Sequence, residues 1–183
     1  MNADLARRLE NLVRFGRIKT IEPSQPYTTV TVNLGEITTG NIRYLNLRAG
    51  ADRTWDPPSI GEEVVVLSPS GVLDMGVAIA GLNNETNPAP SSDLNKVIRL
   101  FSDGCILSYD TKTHHLDAVL PEGGTCNLTA DVSITGKLTV SETITAGKDI
   151  STKADVKAGD ISLRKHRTPG IQSGGSTSGA PVP

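Results

Sequence analysis

Histidine, cysteine and carboxylate side chains are where chemistry would be sought first, and in this chain they are sparse and scattered. The 183 residues include three histidines and two cysteines. His114 and His115 are neighbours in a stretch that reads as a hairpin tip. Adjacent strand residues face opposite ways, so the two rings are a poor chelating pair and read as solvated turn histidines. His166 stands in the basic run Arg164-Lys165-His166-Arg167, which reads as a solvated collar. Cys105 and Cys126 have no CxxC spacing and are too few for a disulfide scaffold. Cys126 reads as a small buried thiol. No Ser-His-Asp set, carboxylate pair or glycine-rich phosphate loop stands out, so no enzymatic activity is expected.

The element that organises the chain is a repeat. From residue 126 it divides into CNLTAD, VSITGK, LTVSET, ITAGKD, ISTKAD and VKAGDI without a slip. The lead positions are Cys126, Val132, Leu138, Ile144, Ile150 and Val156. The third positions are Leu128, Ile134, Val140, Ala146, Thr152 and Ala158. First and third residues of a strand share a face, so each hexad predicts a short strand with one apolar face, followed by a bend. No stripe at helical spacing runs through the segment. Two small apolar side chains bury too little to offset the ordering of six backbones, so the hexads must share a core and a ladder. One chain can coil as a left-handed β-helix, as in hexapeptide-repeat acyltransferases, or three chains can wind into a prism. The single coil predicts glycine after each lead residue, where this chain has Asn127, Ser133, Thr139, Thr145, Ser151 and Lys157. Six hexads would also make only two coils. The intertwined trimer is therefore the favoured reading, with Cys126, Leu128, Val132, Ile134, Leu138, Val140, Ile144, Ile150 and Val156 in its core. At about 4.7 Å per layer, six hexads build a rod of roughly 28 Å.

Before the repeat, residues 2–13 read as a short amphipathic helix with Leu5, Leu9, Leu12 and Val13 on one face. It either packs on its own domain or docks on a neighbouring subunit. Strands are predicted over 16–21, 28–33, 40–47, 62–68 and 76–81, punctuated by Pro57, Pro58, Gly61, Pro69 and Gly71. Five short strands in about 70 residues suit an OB-like barrel. A linker by composition leads to two or three longer strands within 97–119, with turns at Asp103-Gly104 and at 110–113. The tail is rich in Gly, Ser and Pro, and reads either as a disordered terminus or as a compact cap. The expected organisation is a docking segment 1–14, an OB domain 15–84, a linker 85–96, a trimeric β-helix 97–161 and a tip 162–183.

Net charge is -2 and aromatic content 3%, with Phe15, Tyr27, Tyr44 and Trp55 not interleaved with a basic stripe. Nucleic-acid binding is not expected. Residues 1–20 lack the apolar core of a signal peptide, and no apolar run has membrane-spanning length, so synthesis in the cytosol is expected.

RTWDPPSIGEEVVVLSPSG followed by GVAIAGL, then the hexads, then a Gly-Ser-Pro tail after HRTPG, resemble the baseplate assembly protein V family. These are the central spikes of contractile phage tails and R-type pyocins. The resemblance implies an all-β homotrimer: an OB-fold barrel, a triple-stranded β-helix and a compact tip. It implies a non-enzymatic spike attached to the tail hub and driven through the outer membrane of a target cell on sheath contraction. Such a protein is made in the host cytoplasm, released by lysis and carried in the tail particle. Leu5, Leu9, Arg53 and Trp55 are the hub-docking residues expected at the barrel end. Family tips commonly carry an HxH motif that holds iron, whereas here Thr168 stands two places after His166. Three copies then offer three imidazoles, closed by water or an anion, for one iron or other transition metal per trimer. The alternative function is a hexapeptide-repeat acyltransferase, which needs a histidine base that the hexads lack.

Overall fold

The protein is described here from a computed structural model covering residues 3–165 and 174. It divides into two compact units, residues 1–127 and 128–183.

The first unit opens with a helix, α1 (Ala3–Glu10), in which Asp4 bonds Arg7 at 2.7 Å and Arg8 at 3.0 Å. The helix is shorter than its apolar periodicity suggested, because Val13 is already the first residue of a strand. Five strands follow: β1 (Val13–Glu22), β2 (Thr29–Asn33), β3 (Ile42–Tyr44), β4 (Glu63–Leu67) and β5 (Val77–Leu82). They close into a barrel in the order β1-β2-β3-β5-β4. Period-two alternation makes the core. Val30 and Val32 on β2, and Val64 and Val66 on β4, are fully buried, while the residues between them face outward. Ile18, Leu34, Ile42, Tyr44 and Ala78 complete the cluster. The expected strand over 40–47 contracts to three residues, because the chain leaves the barrel after Tyr44 into the long loop before β4.

β1 is long because it pairs with β2 along one stretch and with β4 along another. Gly16 lies where these pairings meet. A Cβ there would fall 2.5 Å from the Asn33 carbonyl oxygen and 2.6 Å from Val32 Cγ1. The seam closes only around a residue without a side chain.

A separate three-stranded antiparallel sheet follows: β6 (Lys96–Leu100), β7 (Ile106–Asp110) and β8 (His115–Val119). Both turns fall where the sequence placed them. Asp103 Oδ1 accepts the Cys105 amide, and Asp110 Oδ1 accepts the amides of Lys112 (2.8 Å) and Thr113 (3.0 Å).

The second unit is built on the repeat. Bends recur at Ala130, Thr135-Gly136, Ser141-Glu142, Gly147-Lys148 and Lys153-Ala154, followed by a turn at Gly159-Asp160. The paired bends and the turn occupy the fourth and fifth places of their hexads, and Ala130 the fifth, so the period of six is a property of the backbone as well as of the sequence. Among the described residues, no backbone ladder joins one hexad to another before a two-residue hairpin, β9 (Lys157–Ala158) with β10 (Ile161–Ser162). The coil-on-coil pairing of a single-chain β-helix is not formed here.

Gly16→Ala is expected to destabilise the barrel by about 1–3 kcal/mol through overpacking. Gly50→Ala, at a site with nothing within 4 Å, serves as the neutral control. Urea titrations followed by Trp55 fluorescence compare the two; equal midpoints would remove Gly16 from the closure of the barrel.

Candidate functional site

Buried, catalytically poised groups are not what this structure offers. Among the described residues no three His, Cys, Asp or Glu side chains gather as metal ligands, and both cysteines are free. His115 Nε2 lies 3.0 Å from Asp117 Oδ1 on an exposed strand face, and His114 has φ 57° in the turn before β8. The two rings belong to the hairpin tip and form no joint site. His166, on which the expected metal site rests, lies outside the described residues, as does most of the tip.

What the structure presents instead is apolar surface arranged in rows. On the outer face of the barrel, strand register aligns Val13, Leu67 and Val77 in one row and Phe15, Val65 and Ile79 in the next. Phe15 is 66% exposed. On the three-stranded sheet, Val97, Tyr109 and Leu116 form a cross-strand row, and Arg99, Leu107 and Ala118 the next. Leu116 is 75% exposed. In the second unit, Leu128, Val132, Ile134, Leu138, Val140, Ile144, Ile150 and Val156 all remain substantially exposed, and so does Cys126 at the end of the first. Isolated exposed apolar residues are ordinary, whereas contiguous rows of them are the kind of surface through which proteins meet partners, membranes or ligands.

The docking residues expected from the sequence occupy two places. Leu5 and Leu9 are exposed on α1, whose Arg8 reaches the Ser70 carbonyl at 3.4 Å. Arg53 and Trp55 belong to the loop after β3. There the Thr54 amide donates to the Arg48 carbonyl at 3.0 Å, and Ala49 bridges Arg53. This small hairpin leaves Leu47 and Trp55 exposed at its base. Leu47 is the residue that the sequence reading missed. Its partner across the hairpin comes from the bridge between Ala49 and Arg53, and no periodicity in the sequence announces that bridge. The same loop lines a cleft of about 460 Å³ containing Tyr44, Asn46, Asp56 and Glu62. Tyr44 Oη and Asn46 Oδ1 have no hydrogen-bond partner among the described residues. Asp56 bonds Arg99 of β6 at 2.5 Å, which holds the Arg99 charge more firmly and ties the sheet to the loop. Arg99 also lies over the Phe101 ring, 5.0 Å from its centroid.

Residues 14–82, the barrel just described, match the type VI secretion system/phage-baseplate injector OB domain. The chain is also 33% identical over 139 residues, 75% of its length, to the spike protein of Escherichia phage P2. Both likenesses, one of the barrel and one of three quarters of the chain, are to baseplate injector and spike proteins. The resemblance read from the segment around Trp55 and from GVAIAGL thus holds. The chain spans 63% of the length of that relative.

The Asp110 turn gives a pH test of the sheet. Amides of Thr113 and Lys112 hold the Asp110 carboxyl below its ordinary value of 3.8. A depressed folded value stabilises above the unfolded one and is lost as pH falls through the folded one. Asp110→Asn is therefore expected to lower the unfolding midpoint at pH 6, with the difference shrinking as pH falls below 3.8. A difference that persists unchanged at the acid end of the titration would assign the effect to packing.

Proposed function

We propose that this protein is the central spike of a contractile injection particle, a phage tail or an R-type pyocin. It works as a homotrimer without enzymatic activity. The observation that carries the reading is the repeat. Its backbone bends every six residues, its apolar lead residues are exposed, and among the described residues no ladder pairs one hexad with another. Buried backbone amides and carbonyls need partners, and a strand edge without a partner is open to another chain. Three copies wound as a triangular prism supply both: lead and third residues meet at the axis, and each strand bonds to strands of the other two chains. The family OB domain supports attachment of this shaft to the baseplate hub.

In the proposed mechanism the barrel end docks on the hub, with Leu5, Leu9, Arg53 and Trp55 as the expected contacts. The prism carries axial load through its interchain ladders, and the tip enters the outer membrane of the target cell when the sheath contracts. Asp and Glu at the bends keep the shaft solvated, and the work is supplied by the sheath. The protein is made in the host cytoplasm and leaves with the particle at lysis. An acyltransferase reading is disfavoured by hexads that contain no histidine and form no single-chain coil.

Sedimentation of the full chain is expected to give an extended trimer; a compact monomer would refute the reading. Deleting residues 162–183 then separates piercing from mere plugging. Particles should still assemble but fail to kill or infect. Full activity of those particles would remove the piercing role.

The tip metal belongs to the same proposal. Three copies bring three His166 imidazoles, a donor set suited to one iron or another transition metal whose remaining positions are filled by water or an anion. Elemental analysis of the purified trimer is expected to find about one metal per three chains. His166→Ala should abolish it; metal retained by that variant would place any site elsewhere.

A further inference from the structure

The charged residues at the bends follow the same period as the apolar ones. Asp131 and Lys137 both close their hexads, and Glu142 and Lys148 both hold the fifth place, so each pair is six residues apart with opposite charge. Glu142 and Lys148 are bend residues, and Asp131 and Lys137 directly follow bends. All four side chains are exposed, and none has a salt bridge or hydrogen-bond partner among the described residues. Within one chain, six residues of mostly extended backbone separate the members of each pair, too far for contact.

Three-fold symmetry changes that distance. In a prism of three parallel chains each hexad covers one face, and the next hexad of the same chain covers the next face. Equal hexads of the three chains lie at equal height on different faces. The strand directly above a given hexad is therefore the following hexad of a neighbouring chain, about 4.7–4.9 Å away and matched place for place. Asp131 of one chain then lies beside Lys137 of another, and Glu142 beside Lys148. From this geometry we infer that Asp131–Lys137 and Glu142–Lys148 are interchain ion pairs, three of each per trimer, that fix the register of the shaft. The inference rests on the trimer proposed above. Apolar lead residues cannot supply this information, since each hexad offers much the same pair. A slip of one hexad brings Asp131 against either another Asp131 or Thr143, and Glu142 against either another Glu142 or Ala154. The pattern stops at Asp149 and Asp155, which share a place and a sign. There Asp155 is instead engaged by the Arg164 amide at 3.2 Å, next to the β9–β10 hairpin.

The test uses the full chain with Cys105→Ser and Cys126→Val. Asp131→Cys with Lys137→Cys is expected to give covalent trimers on mild oxidation, seen on denaturing gels without reductant. Asp131→Cys with Thr143→Cys places the thiols two layers apart, about 9–10 Å, beyond disulfide reach, and should stay monomeric on the same gel. In the native-cysteine chain, Asp131→Lys should lower the midpoint of trimer melting and quicken subunit exchange, and adding Lys137→Asp should restore both. A trimer by sedimentation that fails to cross-link through 131 and 137, or that cross-links through 131 and 143, overturns this register while leaving the spike proposal standing. Trimers indifferent to Asp131→Lys overturn the ion pair. A monomer overturns both readings together.

Discussion

The constraint on which this protein depends is the demand of the backbone for hydrogen-bond partners. In the barrel the chain meets that demand by itself. Each strand has two neighbours, β1 is shared between β2 and β4, and the sheet closes on itself so that no lateral edge remains. Beyond residue 130 the same polypeptide runs in four-residue pieces between bends, and their amides and carbonyls find no ladder until β9. The two halves answer one requirement in different ways. The first meets it with a closed sheet, whereas among the described residues the second meets it with a ladder only in its last hexad.

Side chains follow the backbone in this division. Val30, Val32, Val64 and Val66 disappear from solvent entirely, while Leu128, Leu138 and Ile150, of similar size and hydrophobicity, remain in it. Hydropathy alone cannot distinguish these groups. What differs is the number of strands that a single chain can bring to one place. The closed barrel surrounds its valines with five strands, whereas among the described residues the hexads pair with no other hexad and leave their apolar side chains exposed.

Much of this was legible beforehand for definite reasons. Alternation as plain as TVTVN and EVVVL fixes which residues point inward, and the period of six is visible without any structure. The turns at Asp103 and Asp110 follow from carboxylates that accept amides two and three residues ahead. The extent of elements was less legible. Helix α1 and strand β1 compete for Val13, and the pairing of β1 with β4 decides for the strand. The strand after Gly40 looked long because apolar residues recur as far as Leu47, yet Leu45 and Leu47 fall on the opposite phase from the buried Ile42 and Tyr44 and are solvent-exposed outside the barrel. The aligned outer rows of Val13, Leu67 and Val77, and of Phe15, Val65 and Ile79, were also hidden. Their adjacency arises from the register of β4 with β1, about fifty residues away, and with β5, and no local pattern encodes that register. The site residues divide in the same way: the lead positions announce themselves by period, while Leu47 becomes notable only through its place beside Trp55.

The unbroken spacing of the bends, from Ala130 to Gly159-Asp160, has a consequence for how such a gene can change in length. Adding or removing one residue would turn every later lead residue to the opposite face, because strand side chains alternate. Adding or removing six would leave every face as it was and, in the proposed prism, alter the reach by one layer. The proposed shaft is therefore digital: evolution can lengthen or shorten it in whole hexads, and the reading frame that matters there is six amino acids wide.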